Sequence, residues 1–276
     1  MSKEESMNQK SSKAKGLFSV GFIVPDIMNP FYAALTNELE LLCHTFGMQL
    51  MIGYSRDNFE KEKQIIENFK QSGVNALILS SAGKEELPYP YDIPVVYIDR
   101  QLTEHKHHFV STNHTEGALT LFQEMTRNYD DNIVFVGACK ALDSSIQRLN
   151  AFKDHLNNNN RTFHEELTFH GLSHSTETGK TAYHHFKELL LENSNESDEE
   201  EDAPAQIKEK PRFFFTSYPL LEGFVSEMQK HSSSFIQMPL GCFDCPHSFE
   251  LFPYPLICMR QDIENIATEI LICLKS

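Results

Sequence analysis

The chain is expected to fold as an α/β protein built from two doubly wound parallel-sheet lobes with a ligand cleft between them. Three features carry this expectation. Apolar runs of strand length alternate with amphipathic helical segments along most of the chain. The runs are apolar throughout, without period-two alternation, as in strands covered by helices on both faces. The alternation also restarts after Asn113 in a chain of 276 residues, which is longer than one core of ordinary size.

Residues Met1–Gly16 are polar and rich in Ser and Lys, and read as a flexible lead-in. Phe18–Val24 is the first strand. Pro30–Phe46 carries a helical stripe of Phe31, Leu35, Leu39, Leu42 and Phe46. Gln49–Gly53 is a second strand and Asn58–Ser72 a helix, with Gly73 where a C-cap would stand. Val74–Leu79 and Pro94–Ile98 are two further short strands. In the second half, Thr115–Tyr129, Ser144–Asn157, Ser175–Leu191, Leu220–Lys230 and Asp262–Leu274 read as helices. Asn132–Gly137, Leu167–His170, Phe213–Thr216 and Phe235–Leu240 read as strands. The segment Glu192–Lys210 (ENSNESDEEEDAPAQIKEK) is acidic and poor in apolar residues, so a disordered loop is expected there.

Twenty-four Lys and Arg against thirty-nine Asp and Glu give a net charge of −15, which repels phosphate backbones and anionic membranes. No apolar run reaches the ~20 residues that span a bilayer. The N-terminus has no apolar signal core, so a reduced, cytoplasmic setting is expected. The cysteines Cys43, Cys139, Cys242, Cys245, Cys258 and Cys273 mostly sit in apolar runs, and buried free thiols without a disulfide framework are expected. Cys242 and Cys245 have C-x-x-C spacing but no helix follows them, and two thiolates do not make a zinc site. His105, His107 and His108 read as an exposed loop. No phosphate loop, nucleophile elbow or H-E-x-x-H is present, so no metal, cofactor or catalytic residue is expected.

What remains is a set of polar and aromatic residues at strand ends. Asn29, Phe31 and Tyr32 follow the first strand, Asp99–Arg100 closes Pro94–Ile98, Arg148 lies on a helix of the second lobe, and Asp244 follows the last apolar run. Aromatic rings cover the apolar face of a sugar, carboxylates accept from hydroxyl pairs, and guanidinium groups donate a rigid fork. The plainer readings are a surface salt bridge for Asp99–Arg100 and a solvated helix face for Arg148.

Six stretches in order, VGFIVPDIMNPFYAALTNELE, SGVNALILSS, IPVVYIDRQL, VSTNHTEGA, SSIQRLNAF and PLICMRQDIENIA, resemble the effector-binding core of the lactose-repressor (LacI) family and, through it, periplasmic sugar-binding proteins. The resemblance covers Leu17 to Leu274 and implies a periplasmic-binding-protein-like fold. It divides the chain into an N-terminal lobe of residues 17–113 completed by 261–276, and a C-terminal lobe of 114–260. It implies ligand contacts from Asn29, Phe31, Tyr32, Asp99, Arg100, Arg148, Phe243, Asp244, Arg260 and Gln261. Two further expected contacts, His174 and Tyr218, depart from the family pattern. Tyr218–Pro219 stands where an Asn-Asp pair is usual, and His174 stands near an expected stacking aromatic.

The function implied is a sugar-sensing, dimerising core of a transcriptional repressor, with a small sugar such as ribose, or a sugar phosphate, as effector. Operator DNA would be reached only through a helix-turn-helix that this stretch of chain does not contain. Lys10–Lys15 resembles the basic tail of the linker to such a domain, and a fragment of a longer repressor is the expectation, with a naturally reduced regulator as the alternative. A transport solute-binding protein shares the fold. An enzyme acting on a sugar would need an acid–base pair that the sequence does not supply.

Overall fold

The computed structural model describes residues 18–83, 93–100, 107–127, 133–139, 143–192, 211–231, 239–246 and 254–275. The expected lead-in Met1–Gly16, His105 and residues 193–210 of the acidic segment lie outside them. Two five-stranded sheets, parallel throughout, organise the chain.

The first sheet holds β1 (Phe18–Val24), β2 (Met48–Tyr54), β3 (Ala76–Leu79), β4 (Val95–Ile98) and β5 (His108–Val110), in the order β2-β1-β3-β4-β5. Helix α1 (Pro30–Thr45) covers one face together with α7 (Ile263–Lys275), and α2 (Phe59–Gln71) covers the other. The segregation follows from strand alternation. Val20, Phe22 and Val24 pack with Leu35, Leu39, Ile266 and Ile270, whereas Ile23, Leu77 and Leu79 pack with Ile66 and Phe69. The second sheet holds β6 (Ile133–Gly137), β7 (Thr168–His170), β8 (Arg212–Phe215), β9 (Leu240–Phe243) and β10 (Leu256–Met259), in the order β10-β9-β8-β6-β7. Helices α3 (His114–Thr126) and α4 (Asp143–Asn158) cover one face, and α5 (Thr176–Glu192) and α6 (Tyr218–His231) the other. In β8, Phe214 faces α3 and α4 while Phe213 and Phe215 face α5 and α6, so the unbroken apolar run reflects burial on both sides.

Asparagines start three of these helices. The Oδ1 atoms of Asn29, Asn58 and Asn113 accept from the backbone N–H of Phe31, Lys61 and Glu116 at 2.9–3.1 Å. Gly73, at φ +74°, turns the chain after α2 into β3, a backbone shape that disfavours a side chain. Between the sheets the chain crosses at residues 111–113 and 260–262, and Thr112 donates a short hydrogen bond to Gln261 that fastens the two crossings together.

Four expectations are corrected. The last strand of the second half is Leu240–Phe243, not Phe235–Leu240, because pairing with β8 matches Phe213 to Leu240; residues 232–238 lie outside the described residues. β10 was not anticipated as a strand. His108 opens β5 rather than an exposed loop, since pairing of Val96 with His108 completes the sheet edge. Finally, Cys245 and Cys258 form a disulfide with their Cα atoms 6.1 Å apart, because β9–β10 pairing brings the two segments side by side. Cys43, Cys139, Cys242 and Cys273 are free. Among the described residues no helix is long and apolar enough to cross a membrane.

Candidate functional site

Both sheets repeat one topology. Counted within its own lobe, each has strand order 2-1-3-4-5, which leaves a crevice at the carboxyl ends of the strands where the order reverses. The two crevices face each other across a cavity of about 240 Å³, lined from both lobes. That volume lies just below the ~300–1,000 Å³ range of drug-sized sites and suits a small polar molecule. A larger and more apolar space of about 640 Å³ lies beyond Phe31, against α1 and the start of α7; Asp244, Arg260, Asp262 and Glu264 line it, but Asp99, Arg100 and Arg148 do not.

From the N-terminal lobe, Asn29 caps α1 and thereby fixes Phe31 and Tyr32 in its first turn. The Tyr32 hydroxyl donates to Asp99 Oδ2 at 2.6 Å and lies 2.7 Å from Ser80 Oγ. Asp99 follows β4 at φ +61°, and Asp244 follows β9 at φ +62°. The fourth strand of each lobe therefore ends on an aspartate in the left-handed region, a sparsely populated shape for a residue with a side chain, and two carboxylates project into one cleft. Arg100 forms an ion pair with Asp57 at 2.5 Å and donates to the Ser81 carbonyl at 3.3 Å. The loop carrying Ser81 is itself held by buried Glu62, which accepts from Ser81 Oγ at 2.8 Å and from the Ala82 N–H at 2.6 Å.

From the C-terminal lobe, Arg148 on α4 is 3% exposed. Its guanidinium lies 3.9 Å over the Phe243 ring, donates a short hydrogen bond to the Thr216 carbonyl, and meets His114 Nδ1 at 3.1 Å and Asp244 Oδ2 at 3.8 Å. Its Nε is buried with no hydrogen-bond partner among the described residues, so the guanidinium retains donor capacity. His114, at the start of α3, contacts Ser111 Oγ at 3.3 Å and Asp99 Oδ1 at 3.7 Å, and so stands between the aspartate of one lobe and the arginine of the other. His174 Nδ1 lies 2.9 Å from Ser217 Oγ.

The charges fit a neutral, hydroxyl-rich guest flanked by fixed ions. Burial raises the Asp99 carboxyl, but His114, the Tyr32 hydroxyl and the two arginines outweigh it and hold the pKa below the ordinary value. Asp244 is pushed up to about 6 by burial, only partly offset by Arg148 and Gln261. Burial and then the nearby arginines lower His114 to about 4 and His174 to about 3, with Arg148 acting on His114 and both Arg100 and Arg148 on His174. Both imidazoles are therefore neutral at pH 7, each able to donate from one nitrogen and accept at the other.

Asn29, Phe31, Tyr32, Asp99, Arg100, Arg148, His174 and Asp244 all line this cavity. Four expected residues do not. Tyr218 packs against the core beneath α5 and α6, and its neighbour Ser217 faces the cleft instead. Gln261 lies behind the site, where its Nε2 donates to Asp244 Oδ1 at 2.6 Å. Phe243 is buried beneath Arg148, and Arg260 lines the larger apolar space. The solvated reading of Arg148 is corrected by its burial, and Arg100 pairs with Asp57 rather than with Asp99. Sequence reasoning missed Tyr54, Arg56 and Asp57, although they follow a strand and the carboxyl-end rule points at them. It also missed His114, whose only signal was its place just after the first crossing, and Glu62, which had none.

Two doubly wound lobes around one small, charged cleft define a ligand-binding module of the two-lobed class. A family model described as periplasmic binding proteins and sugar binding domain of LacI family matches residues 18–196, and the chain belongs to that family. It is 24% identical to the sucrose operon repressor of Klebsiella pneumoniae over 268 residues, 96% of this chain and 75% of that one. Its fold is similar to that of the Cra transcriptional dual regulator from Pseudomonas putida in complex with fructose 1-phosphate, at TM-score 0.72, 25% identity, and 93% and 89% of the two chains. It is also similar to a periplasmic binding protein/LacI transcriptional regulator from Alkaliphilus metalliredigens complexed with D-xylulofuranose, at TM-score 0.76, 18% identity, and again 93% and 89%. The sucrose operon repressor and the Cra regulator are regulators, which favours a regulatory reading over a transport one.

Proposed function

We propose that this chain is the sugar-sensing, dimerising core of a LacI-family transcriptional repressor, with a small sugar or sugar phosphate bound between its lobes. The observation that carries the reading is the meeting of Asp99 and Arg100 from one lobe with Arg148 and Asp244 from the other around one cavity. Asn29, Phe31, Tyr32 and His174 complete the ligand shell in this reading, and Gln261 orients Asp244 from behind. The ligand's hydroxyls bridge the two aspartates, so binding favours the closed lobe arrangement, and the coupling to operator affinity equals the differential affinity of the ligand for the two arrangements. No bond is made or broken. The effector is of the kind named for the relatives, which include a sucrose operon repressor and a fructose 1-phosphate complex.

The homodimer would form through the N-terminal lobe. Leu41, Phe46, Ile52 and Met28 are all exposed there and could be covered by a second copy. In this reading the protein works in the cytoplasm, and DNA contact belongs to a helix-turn-helix outside this stretch of chain.

Calorimetry across pentoses, hexoses and their phosphates tests the reading. Saturable binding in the micromolar to millimolar range, abolished by Asp99→Asn combined with Asp244→Asn, is expected. Preference for the phosphates would assign Arg56, Arg100 or Arg148 to the phosphoryl group. Silence across the panel would overturn the sugar reading, and a monomer by sedimentation would overturn the dimer.

A further inference from the structure

Among the described residues, His184, Glu227 and His231 form a group whose ligand-type atoms all lie within 4.8 Å of one another. It stands on the outer helical face of the C-terminal lobe, away from the cleft. His184 comes from α5. Glu227 and His231 are one turn apart on α6, so helical spacing puts them on the same face. We propose that this trio is a binding site for a borderline divalent transition-metal ion, zinc above all, that clamps α5 to α6.

The distances carry the argument. Glu227 Oε1 lies 3.4 Å from His184 Nε2 and 3.4 Å from His231 Nε2. Donors on a tetrahedral ion with bonds of ~2.0–2.1 Å are separated by about 3.3–3.4 Å, so the two edges already have the length that zinc requires. As hydrogen bonds the same contacts are long, beyond the ~2.9–3.0 Å usual for N–H···O.

The surroundings support the ligands. Lys230 donates to the other carboxylate oxygen, Oε2, at 2.6 Å, which orients Glu227 and leaves Oε1 to the histidines. The His231 ring stacks on Tyr183 at 5.7 Å and 10°, which fixes the plane in which its Nε2 lies. Two imidazoles and one carboxylate make the nitrogen–oxygen set that suits zinc, cobalt, nickel or copper rather than calcium or magnesium. With three protein ligands, the fourth position falls to water. Any proton on either histidine leaves as the metal enters.

Both helices begin at the cleft, after Ser175 and Ser217, while the trio joins them further along. Metal there stabilises the lobe as a unit without touching the sugar.

The test is zinc titration of the chelator-treated chain by calorimetry at pH 7, with melting followed in parallel. One zinc ion per chain and a rise in melting temperature are expected. Glu227→Gln, His184→Ala and His231→Ala should each weaken zinc by roughly tenfold or more and remove the melting shift. His44→Ala, an exposed histidine on α1, should leave both unchanged. Glu227→Gln keeps shape and helix propensity, so its effect separates lost ligation from lost folding. A cobalt-loaded chain should show the visible absorption of a four-coordinate nitrogen–oxygen site, lost in the same variants. Absence of saturable binding would overturn the proposal. So would binding that survives all three substitutions, which would assign the metal to the thiols.

Discussion

In the proposed reading Arg148 joins the recognition of ligand to the stability of the second lobe, because it lines the cleft yet is buried on a helix whose neighbours are core. Replacement by Lys keeps the charge and loses the planar fork over Phe243 and the paired contacts to Thr216 and His114. A charge-assisted hydrogen bond contributes about 1.5–3 kcal/mol, so sugar affinity by calorimetry should fall roughly ten- to a hundredfold. The ligand-free melting temperature should also drop by several degrees, as expected of a loss of ~1–3 kcal/mol from a buried site. The buried histidines set a second prediction. His114 and His174 titrate at about 4 and about 3, below their ordinary 6.5. Between those values the unfolded chain binds more protons than the folded one, so stability is lost as pH falls from about 6.5, at up to ~1.4 kcal/mol per unit per histidine. Asp244, raised to about 6 from 3.8, works the other way, since the folded state takes up its proton first. Two groups outweigh one, so melting temperature should decline from pH 7 to pH 5 and flatten in a His114→Asn, His174→Asn double variant. Sugar affinity should decline over the same range, as Asp244 loses its capacity to accept from two hydroxyls.

Helices α5 and α6 approach so closely that glycine is required at their contact. A Cβ at Gly179 would stand 2.1 Å from the Leu220 carbonyl oxygen, and one at Gly223 would stand 1.9 Å from that of Thr176. Backbone cannot give way as a flexible side chain can, so the helices must part. Gly179→Ala should destabilise by about 1–3 kcal/mol or more in chemical denaturation. It should also weaken sugar, because Ser175 and Ser217 head the two helices, whereas Ser226→Ala on the exposed face of α6 should do neither. At this scale the sequence was largely legible. Buried parallel strands and capped helices announce themselves by apolar runs and by Asn29, Asn58 and Asn113. Short strands did not. Three residues at His108–Val110 and four at Leu256–Met259 carry too little pattern, and pairing with β4 and β9 decides them. The Cys245–Cys258 bond was illegible for the same reason. Such a bond is rare in a reduced cytoplasm, and thiol titration with and without reductant reads its state directly.

At the scale of the molecule, two crossings join the lobes, and the proposed ligand would tie them further. A ligand held by Asp99 and Arg148 together should reduce the radius of gyration in solution scattering, while Asp99→Asn should not respond at the same ligand concentration. Ligand at a hundred times its Kd adds about 2.7 kcal/mol, which should raise the melting temperature by about 5–10 °C.

The sequence by itself determined the two-lobed α/β architecture and most of the cleft. Apolar periodicity sets strands and helices, and the carboxyl ends of parallel strands are where Asn29, Asp99, Arg100 and Asp244 had to stand. Only the tertiary structure decided which side chains face the cleft. Tyr218 and Ser217 are adjacent in sequence, yet the start of α6 turns the tyrosine into the core and the serine into the cleft. Gln261 was read as a ligand contact and instead supports Asp244. His114 and Glu62 reach their partners across 34 and 19 residues of chain, and their roles arise from contacts made only when sheets and crossings have assembled. Local pattern encodes burial and periodicity. The direction of a side chain at the end of a strand depends on what packs behind it, and that comes from elsewhere in the chain.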